Sequence, residues 1–264
     1  MHIQATGVTL ELGGRRVLHG ADFSLAPGEL VGLIGANGAG KTSLLRVLAN
    51  LARPASGSVR YDGRTAVETG RKHLARRVAY LAQGGGLQWR MRAQTVVALG
   101  RLPHLGRVAD LPEADRRAVD RAMSATGAAA FAGRTLDTLS GGERARVLLA
   151  RALAVEAEAL LADEPLAALD PRHQLEMLAL LRRTAADGAG VVCVLHDLTL
   201  AGRFCDRLVL LHEGRVLRDG PPGEVLADGP LAQAFGVRAA RGTREGAAYV
   251  LPWEPIETGD IAGP

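Results

Sequence analysis

Cysteine is scarce in this chain, since only Cys193 and Cys205 occur among its 264 residues. No C-x-x-C pair is present, so the sequence indicates neither a zinc site nor a disulfide framework. Long apolar runs are missing as well, because no segment reaches the ~18 consecutive apolar residues that span a bilayer. The N-terminus lacks the basic start and apolar stretch of a signal peptide, and we therefore expect a cytosolic protein.

Lysine is equally rare, since Lys41 and Lys72 are the only two and the other basic residues are arginines. The arginines are interspersed with acidic residues, and the formal net charge is +4. A block of basic residues, which would indicate nucleic-acid binding, is absent from the sequence, and we expect no nucleic-acid partner. Hydrophobic residues make up 47% and charged residues 23%, as in an ordinary folded domain.

The most informative stretch is GANGAGKTS, residues 35–43, which lies between a predicted buried strand and a predicted helix. Glycines let the backbone turn tightly and bring its N–H groups close to an anion, and the helix start adds unpaired N–H groups. Lys41 is placed to reach the β- and γ-phosphates of a nucleotide, and Thr42 to bind Mg²⁺. The segment matches the P-loop pattern G-x-x-x-x-G-K-[ST], which predicts nucleotide binding by Gly35, Ala36, Asn37, Gly38, Ala39, Gly40, Lys41, Thr42 and Ser43.

The pattern of predicted elements divides the chain into an α/β part and a helical insertion. Strands are predicted at residues 7–12, 16–25, 29–34, 76–82, 159–165 and 189–197. Residues 93–154 have mainly helical patterns and interrupt the α/β part. We therefore predict one α/β domain at residues 1–240, with a helical subdomain at about 84–156 inserted in it. A C-terminal tail without clear periodicity follows at 241–264.

Three further segments place polar residues at the ends of predicted elements. Residues 140–142, Ser-Gly-Gly, precede an amphipathic helix, whose N-terminus is again suited to an anion. Asp163 and Glu164 end a buried strand, where one carboxylate can hold Mg²⁺ and the other can orient or deprotonate a water. His196 ends the next apolar strand. Taken singly, these features also fit a capped helix, an acidic turn and a structural histidine.

In this order along one chain, the segments resemble the nucleotide-binding subunits of ABC transporters, over about residues 7–237. The matching segments are Walker A at 35–42, the Q-loop glutamine Gln83, the ABC signature at 139–143, Walker B at 160–164, the D-loop at 168–170 and the switch histidine His196. The resemblance implies a P-loop NTPase core with an N-terminal antiparallel β subdomain and an inserted α-helical subdomain.

The resemblance also implies roles for these residues. Catalysis would rest on Glu164, His196, Lys41 and Gln83, and Mg²⁺ would be held by Thr42, Gln83 and Asp163. Two subunits would form a head-to-tail homodimer with each ATP between Walker A of one subunit and the signature of the other. The implied signature and D-loop residues are Ser140, Gly141, Gly142, Glu143 and Asp170.

Two positions depart from the family pattern. Leu12 stands where the family usually has an aromatic residue that stacks on adenine, which puts base stacking in doubt. Glu143 stands where the last signature residue is usually glutamine, which adds a negative charge near the triphosphate.

Two segments resemble the importers of ferric siderophores, haem and cobalamin: His173-Gln174 after the D-loop, and VALGRLPHLG at 97–106. Generic helix surface is the alternative explanation. The importer interpretation implies two transmembrane permease subunits and a periplasmic or extracellular substrate-binding protein. The ATPase homodimer would then lie on the cytoplasmic face of the inner membrane.

Two other classes stay open at this point. A soluble ABC ATPase that never transports would often carry a coiled-coil or zinc insertion, and neither is visible in the sequence. An ATPase of an exporter would differ in the direction of transport. Co-purification with a multi-span permease distinguishes the first class, and the direction of substrate movement distinguishes the second.

The segment after Gln83 is predicted to be a hinge, because three consecutive glycines have little intrinsic backbone preference. The resemblance places the following residues beside the permease. Leu87, Trp89 and Met91 are then candidates for an apolar groove wall, or else they pack inside the helical subdomain.

Overall fold

The computed structural model describes residues 1–83, 90–105 and 111–256. The glycines of the predicted hinge, residues 84–86, lie outside the described residues, as do Leu87 and Trp89. Within the described ranges, no helix has both the length and the apolar character needed to cross a membrane.

Strands and helices alternate through the middle of the chain, and antiparallel strands lie at both ends. The strands are β1 (Ile3–Leu12), β2 (Arg15–Leu25), β3 (Leu30–Gly35), β4 (Ser56–Tyr61), β5 (Arg64–Thr65), β6 (Val78–Leu81), β7 (Ala159–Ala162), β8 (Gly190–Val194), β9 (Arg207–His212), β10 (Arg215–Gly220), β11 (Val237–Arg244) and β12 (Ala247–Pro255). The helices are α1 (Lys41–Leu48), α2 (Ala66–Thr69), α3 (Arg71–Arg77), α4 (Ala93–Ala98), α5 (Glu113–Ala125), α6 (Gly141–Leu153), α7 (Pro171–Ala186), α8 (Leu198–Phe204), α9 (Pro222–Val225) and α10 (Asp228–Phe235).

A six-stranded sheet with the order β10-β9-β3-β8-β7-β6 forms the centre of the fold. Its strands are parallel except for β10, which pairs antiparallel with β9. The inner strands are continuous apolar runs because both faces of the sheet are covered. Leu30 and Ile34 of β3 pack in one core cluster and Val31 and Leu33 in the other, so the sheet divides the core in two.

A second, antiparallel sheet with the order β2-β1-β4-β5 covers one face together with α1. The predicted strand at 7–12 is longer in the structure, where β1 begins at Ile3. A register shift between Ala5 and Val8, with Gly7 at a φ of 58°, explains why the first part of β1 was not predicted. The buried positions change from odd to even numbers across this bulge, which interrupts the period-two pattern.

The strands predicted at 16–25 and 29–34 agree with β2 and β3 to within one residue at each end, whereas the last three predicted strands are shorter in the structure. The prediction at 76–82 is wrong at its start, because α3 continues to Arg77 and β6 begins at Val78. The predicted strands at 159–165 and 189–197 end at Ala162 and Val194. Their polar ends therefore lie in the loops after the strands, where side chains can converge at one edge of the sheet.

Between β6 and β7 the described residues form α4, α5 and α6, whose apolar faces pack into the core cluster on the opposite face of the central sheet. Met91 is partly buried against that cluster, which favours packing inside the helical part over a groove wall for this residue.

The VALGRLPHLG segment makes close contacts in this helical part. A Cβ on Gly100 would lie 2.2 Å from the carbonyl oxygen of Arg151, so only glycine fits there. Arg101 is buried, and its guanidinium donates to Asp115 at 2.7 Å, to Glu156 at 3.0 Å and to the Ala154 carbonyl at 2.7 Å. The charged residue of the segment therefore fastens the start of the helical part to the loop after α6.

The tail predicted at 241–264 from its lack of clear periodicity contains regular structure in its described part. Strands β11 and β12 form an antiparallel hairpin that continues to Pro255. Val250 is buried, and its carbonyl accepts a hydrogen bond from the Thr199 hydroxyl on α8 at 2.7 Å. The same hydroxyl accepts from the Val250 N–H at 3.1 Å. The last strand is thus fastened to the helix that follows His196.

Candidate active site

The P-loop, residues 35–43, connects β3 to α1 at the edge of the sheet where the parallel strands end. Gly35 has a φ of 146°, and a Cβ there would lie 2.2 Å from the carbonyl oxygen of Leu211. Gly40, at a φ of 102°, precedes α1 without a side-chain cap. The N–H groups at the start of α1 are therefore left for an anion.

Lys41 is the charged group of the P-loop. Its Nζ donates to the carbonyl oxygens of Gly35 at 2.7 Å and Ala36 at 2.9 Å. Burial lowers the pKa of Lys41, and the nearby carboxylates of Glu164 and Asp163 partly oppose that shift. The ammonium is held within its own loop, beside the position where an anion would bind.

Asp163 follows β7 and faces the P-loop. Its carboxylate accepts from the Thr42 hydroxyl at 3.1 Å and from the Tyr80 hydroxyl at 3.1 Å. Burial is the largest influence on Asp163 and raises its pKa, although both hydroxyls act in the opposite direction. This buried carboxylate next to Thr42 offers oxygen ligands of the kind that a hard divalent cation prefers.

Glu164 brings three predicted site residues together. Gln83 donates from Nε2 to Oε2 of Glu164 at 2.7 Å, and Nε2 of His196 lies 2.8 Å from Oε1. Glu164 has a φ of 49°, a left-handed conformation that is uncommon for a residue with a side chain. Such strained positions are frequent at functional sites, because the surrounding structure holds them.

The signature residues 140–143 begin α6. The Ser140 hydroxyl accepts from the Glu143 N–H at 3.2 Å, and the Glu143 carboxylate accepts from the Ser140 N–H at 2.8 Å, which is a capping box. Gly141 and Gly142 lie against Ala168. Among the described residues, no hydrogen bond or ion pair joins this segment to the P-loop of the same chain.

Two predicted site residues lie apart from the Glu164 cluster. Asp170 caps α7, where it accepts from the His173 N–H at 3.0 Å and pairs with the His173 ring at 2.7 Å. Leu12 ends β1 and is 47% exposed. Its side chain is therefore accessible, as a residue that contacts a base must be.

The comparison with known families decides what this arrangement belongs to. Residues 18–167 match the ABC transporter family, a span that contains the P-loop, Gln83, the signature and the Asp163-Glu164 pair. The chain belongs to the ABC transporter family. It is an ATP-binding transport ATPase, and the predicted resemblance to ABC nucleotide-binding subunits is confirmed.

Curated relatives of this ABC subunit cover nearly its whole length. The hemin import ATP-binding protein HmuV of Streptomyces coelicolor is 46% identical over 250 residues, 94% of this chain and 89% of the relative. The cobalamin import ATP-binding protein BtuD of Halobacterium salinarum is 42% identical over 255 residues, 96% of this chain. This chain spans only 64% of the length of that second relative.

Solved structures show the same fold. An inward-facing ABC transporter assigned to the metal-chelate type matches with a TM-score of 0.81, covering 97% of this chain and 98% of the other at 22% identity. A dimeric ABC cassette in a post-hydrolysis state with ADP and Pi bound matches with a TM-score of 0.73, at 28% identity over 83% of this chain and 98% of the other. The predicted fold is thus confirmed: a P-loop NTPase core with an N-terminal antiparallel β subdomain and an inserted α-helical subdomain.

Two residues at this site were not predicted from the sequence. Tyr80 bonds to Asp163 from the neighbouring strand β6, a contact that depends on the pairing of Tyr80 with Leu161. Arg134 reaches the signature with Nη1 3.0 Å from Oε1 of Glu143. Tyr80 lies three positions before Gln83, and Arg134 lies six positions before Ser140. This proximity in sequence to a predicted site residue was the only available signal.

Proposed function

We propose that this chain is the ATP-hydrolysing subunit of an importer for a metal chelate such as haem, cobalamin or a ferric siderophore. One observation carries the hydrolytic part: Gln83 and His196 both hold the carboxylate of Glu164, next to the P-loop. The names of the hemin and cobalamin import relatives support the direction of transport and the class of substrate.

ATP binding is assigned to the P-loop residues 35–43. On binding, Lys41 exchanges the carbonyl oxygens of Gly35 and Ala36 for oxygens of the β- and γ-phosphates. A phosphate oxygen carries negative charge and a carbonyl oxygen does not, so the ammonium is attracted more strongly to the phosphates, which favours this exchange. Leu12 supplies apolar contact to the base instead of aromatic stacking.

The residues beside the P-loop fit Mg²⁺. The ion prefers oxygen ligands, and Thr42, Asp163 and Gln83 offer a hydroxyl, a carboxylate and an amide oxygen. A cation would also favour the ionised form of Asp163, whose pKa is raised by burial. We assign these three residues to the ion, which when bound neutralises charge on the phosphate oxygens.

The chemistry is assigned to Glu164 as general base. Its carboxylate takes a proton from the water that attacks the γ-phosphate. His196 and Gln83 each hold one carboxylate oxygen, so they fix the orientation of the base. The left-handed backbone of Glu164 contributes to that orientation.

The working form is proposed to be a homodimer in which residues 140–143 of one subunit face the ATP of the other. The Ser140 N–H is occupied by Glu143, but Gly141 is exposed and is the first residue of α6, so its N–H group can reach a phosphate of the second subunit. Asp170, the D-loop residue, caps α7 and comes two positions after Ala168, which lies against Gly141. The dimeric form of the related solved cassette supports this arrangement.

The other partners follow from the importer assignment. Two transmembrane permease subunits and a periplasmic or extracellular substrate-binding protein complete the transporter. The ATPase dimer then lies on the cytoplasmic face of the inner membrane. Nucleic acid has no part in this proposal.

Vesicle transport tests the proposal. The subunit is purified from its own cells together with any multi-span permease that it binds, and the complex is reconstituted with ATP on the side of the subunit. We expect ATP-dependent accumulation of one of haem, cobalamin or a ferric siderophore from the opposite side, and none with Glu164→Gln. Movement in the reverse direction would make the chain an exporter subunit. Failure to co-purify with any multi-span permease would instead indicate an ATPase without a transport role.

A further inference from the structure

We infer that Arg134 is a positioning residue for the signature, where it neutralises Glu143 so that the start of α6 attracts the nucleotide of the second subunit. The inference rests on the proposed function, in which residues 140–143 face that nucleotide. It concerns a residue that lies outside the signature itself.

Arg134 makes hydrogen bonds to residues before and after Ser140, the first of the signature residues 140–143. Nη1 of Arg134 lies 3.0 Å from Oε1 of Glu143, and Nη2 donates to the Thr138 carbonyl at 2.7 Å. The second carboxylate oxygen of Glu143 accepts from the Ser140 N–H at 2.8 Å. The guanidinium, the carboxylate and the first signature residue therefore form one connected chain of hydrogen bonds.

The charge of Glu143 would otherwise oppose nucleotide binding. Its carboxylate sits in the first turn of α6, where it stabilises the helix but repels a triphosphate that approaches the same N–H groups. The hydrogen bond from Ser140 and then the charge of Arg134 lower the pKa of Glu143. Glu143 therefore remains ionised at neutral pH, and a nearby cation is the remaining way to cancel its charge.

A purely mechanical role for Arg134 predicts different behaviour. If the guanidinium only braced the loop through Thr138, its loss would be equally harmful with glutamate or glutamine at position 143. If it acts by charge, Glu143→Gln repairs the loss. The side chains of Arg134 and Glu143 are 47% and 24% exposed, so a charge effect must also weaken as salt increases.

The test uses the full chain with Glu164→Gln, in which slow turnover allows the ATP-bound dimer to be observed by analytical ultracentrifugation. Adding Arg134→Ala is expected to raise the ATP concentration for half-maximal dimerisation roughly threefold to fivefold at low salt, near the upper limit for one partly exposed ion pair. At 0.5 M salt the difference should largely disappear. Adding Glu143→Gln to Arg134→Ala should bring the value back to within about twofold of the parent.

Controls separate the possible failures. Arg117→Ala removes another exposed, ion-paired arginine from the helical part and should leave dimerisation unchanged. Melting temperatures verify folding, and Arg134→Gln replaces Arg134→Ala if the alanine variant does not fold. Absence of an ATP-dependent dimer in the Glu164→Gln parent would overturn the dimer proposal together with this inference. A dimer that is indifferent to Arg134, or a loss that neither salt nor Glu143→Gln repairs, would overturn the inference alone.

Discussion

Nε2 of His196 lies 2.8 Å from Oε1 of Glu164, although the two residues follow different strands of the central sheet. Strands β7 and β8 are parallel neighbours, so the loops after them emerge at the same edge. Gln83 reaches the same carboxylate from the loop after β6. Three consecutive strands in the order of the sheet thus each supply one side chain to a single acid–base cluster.

Replacing Glu164 by glutamine should abolish turnover while ATP binding persists. The amide keeps the shape of the side chain but cannot accept a proton, and positioned acid–base catalysis typically contributes ~10²- to 10⁴-fold. Steady-state ATPase rates and equilibrium ATP titration measure the two effects. Lys41→Ala should weaken binding itself, and Glu245→Gln, an exposed acid in the β11–β12 turn, should change neither quantity. Near-normal hydrolysis by the Glu164→Gln protein would refute the assignment of the base.

Leu12 should give the protein little selectivity for the base of the nucleotide. Because an aliphatic side chain does not stack, we expect ATP and GTP to be hydrolysed with similar efficiency. Leu12→Tyr should tighten ATP binding by about 1 kcal/mol, the scale of one aromatic stacking contact. Leu51→Tyr, at another exposed leucine, is the matched control and should leave the ATP dissociation constant unchanged. A strong ATP preference that survives Leu12→Tyr would show that another residue recognises the base.

Arg101 and Arg121 both pair with Glu156 but should differ in their contribution to stability. Arg101→Ala leaves the buried carboxylate of Asp115 without its partner, which typically costs ~3–5 kcal/mol. Arg121 is 62% exposed, and Arg121→Ala should cost no more than ~1 kcal/mol. Urea denaturation of the two variants measures both values. Equal losses would contradict the view that the VALGRLPHLG segment stabilises the helical part through a buried cation.

Asp163 should give the nucleotide-free protein a characteristic dependence on pH. Burial raises its folded-state pKa above the unfolded value, so its contribution to stability is fully present below the unfolded pKa and is lost as pH rises through the folded pKa. Asp163→Asn has no carboxyl group at this position and therefore lacks this pH-dependent contribution to stability. The melting temperature of the variant relative to the natural protein should therefore increase between acidic and neutral pH, measured without nucleotide and with a chelator present. Asp120→Asn, at an exposed carboxylate of α5, is the matched control for the loss of one carboxylate.

Local patterns predicted the parts of this site that lie within a single segment. The P-loop could be recognised because its glycines, lysine and threonine are consecutive and their spacing has a direct physical purpose. The Tyr80–Asp163 and Arg134–Glu143 contacts were missed because they depend on strand pairing and on the path of a loop. The C-terminal hairpin was missed because most of β12 is exposed on both faces, so burial leaves little alternation in its sequence.

The position of β3 in the central sheet has a consequence for how the protein is made. Both of its neighbours, β8 and β9, come from the last third of the chain, whereas β3 is among the first strands to leave the ribosome. Contacts between such distant segments form late and slow the folding of a domain. During synthesis, the strand that leads into the P-loop therefore has both edges unpaired until β8 has emerged, and one edge unpaired until β9 has emerged. We expect nascent chains that stop before β9 to be sensitive to proteases near the P-loop, and to gain no protection from added ATP.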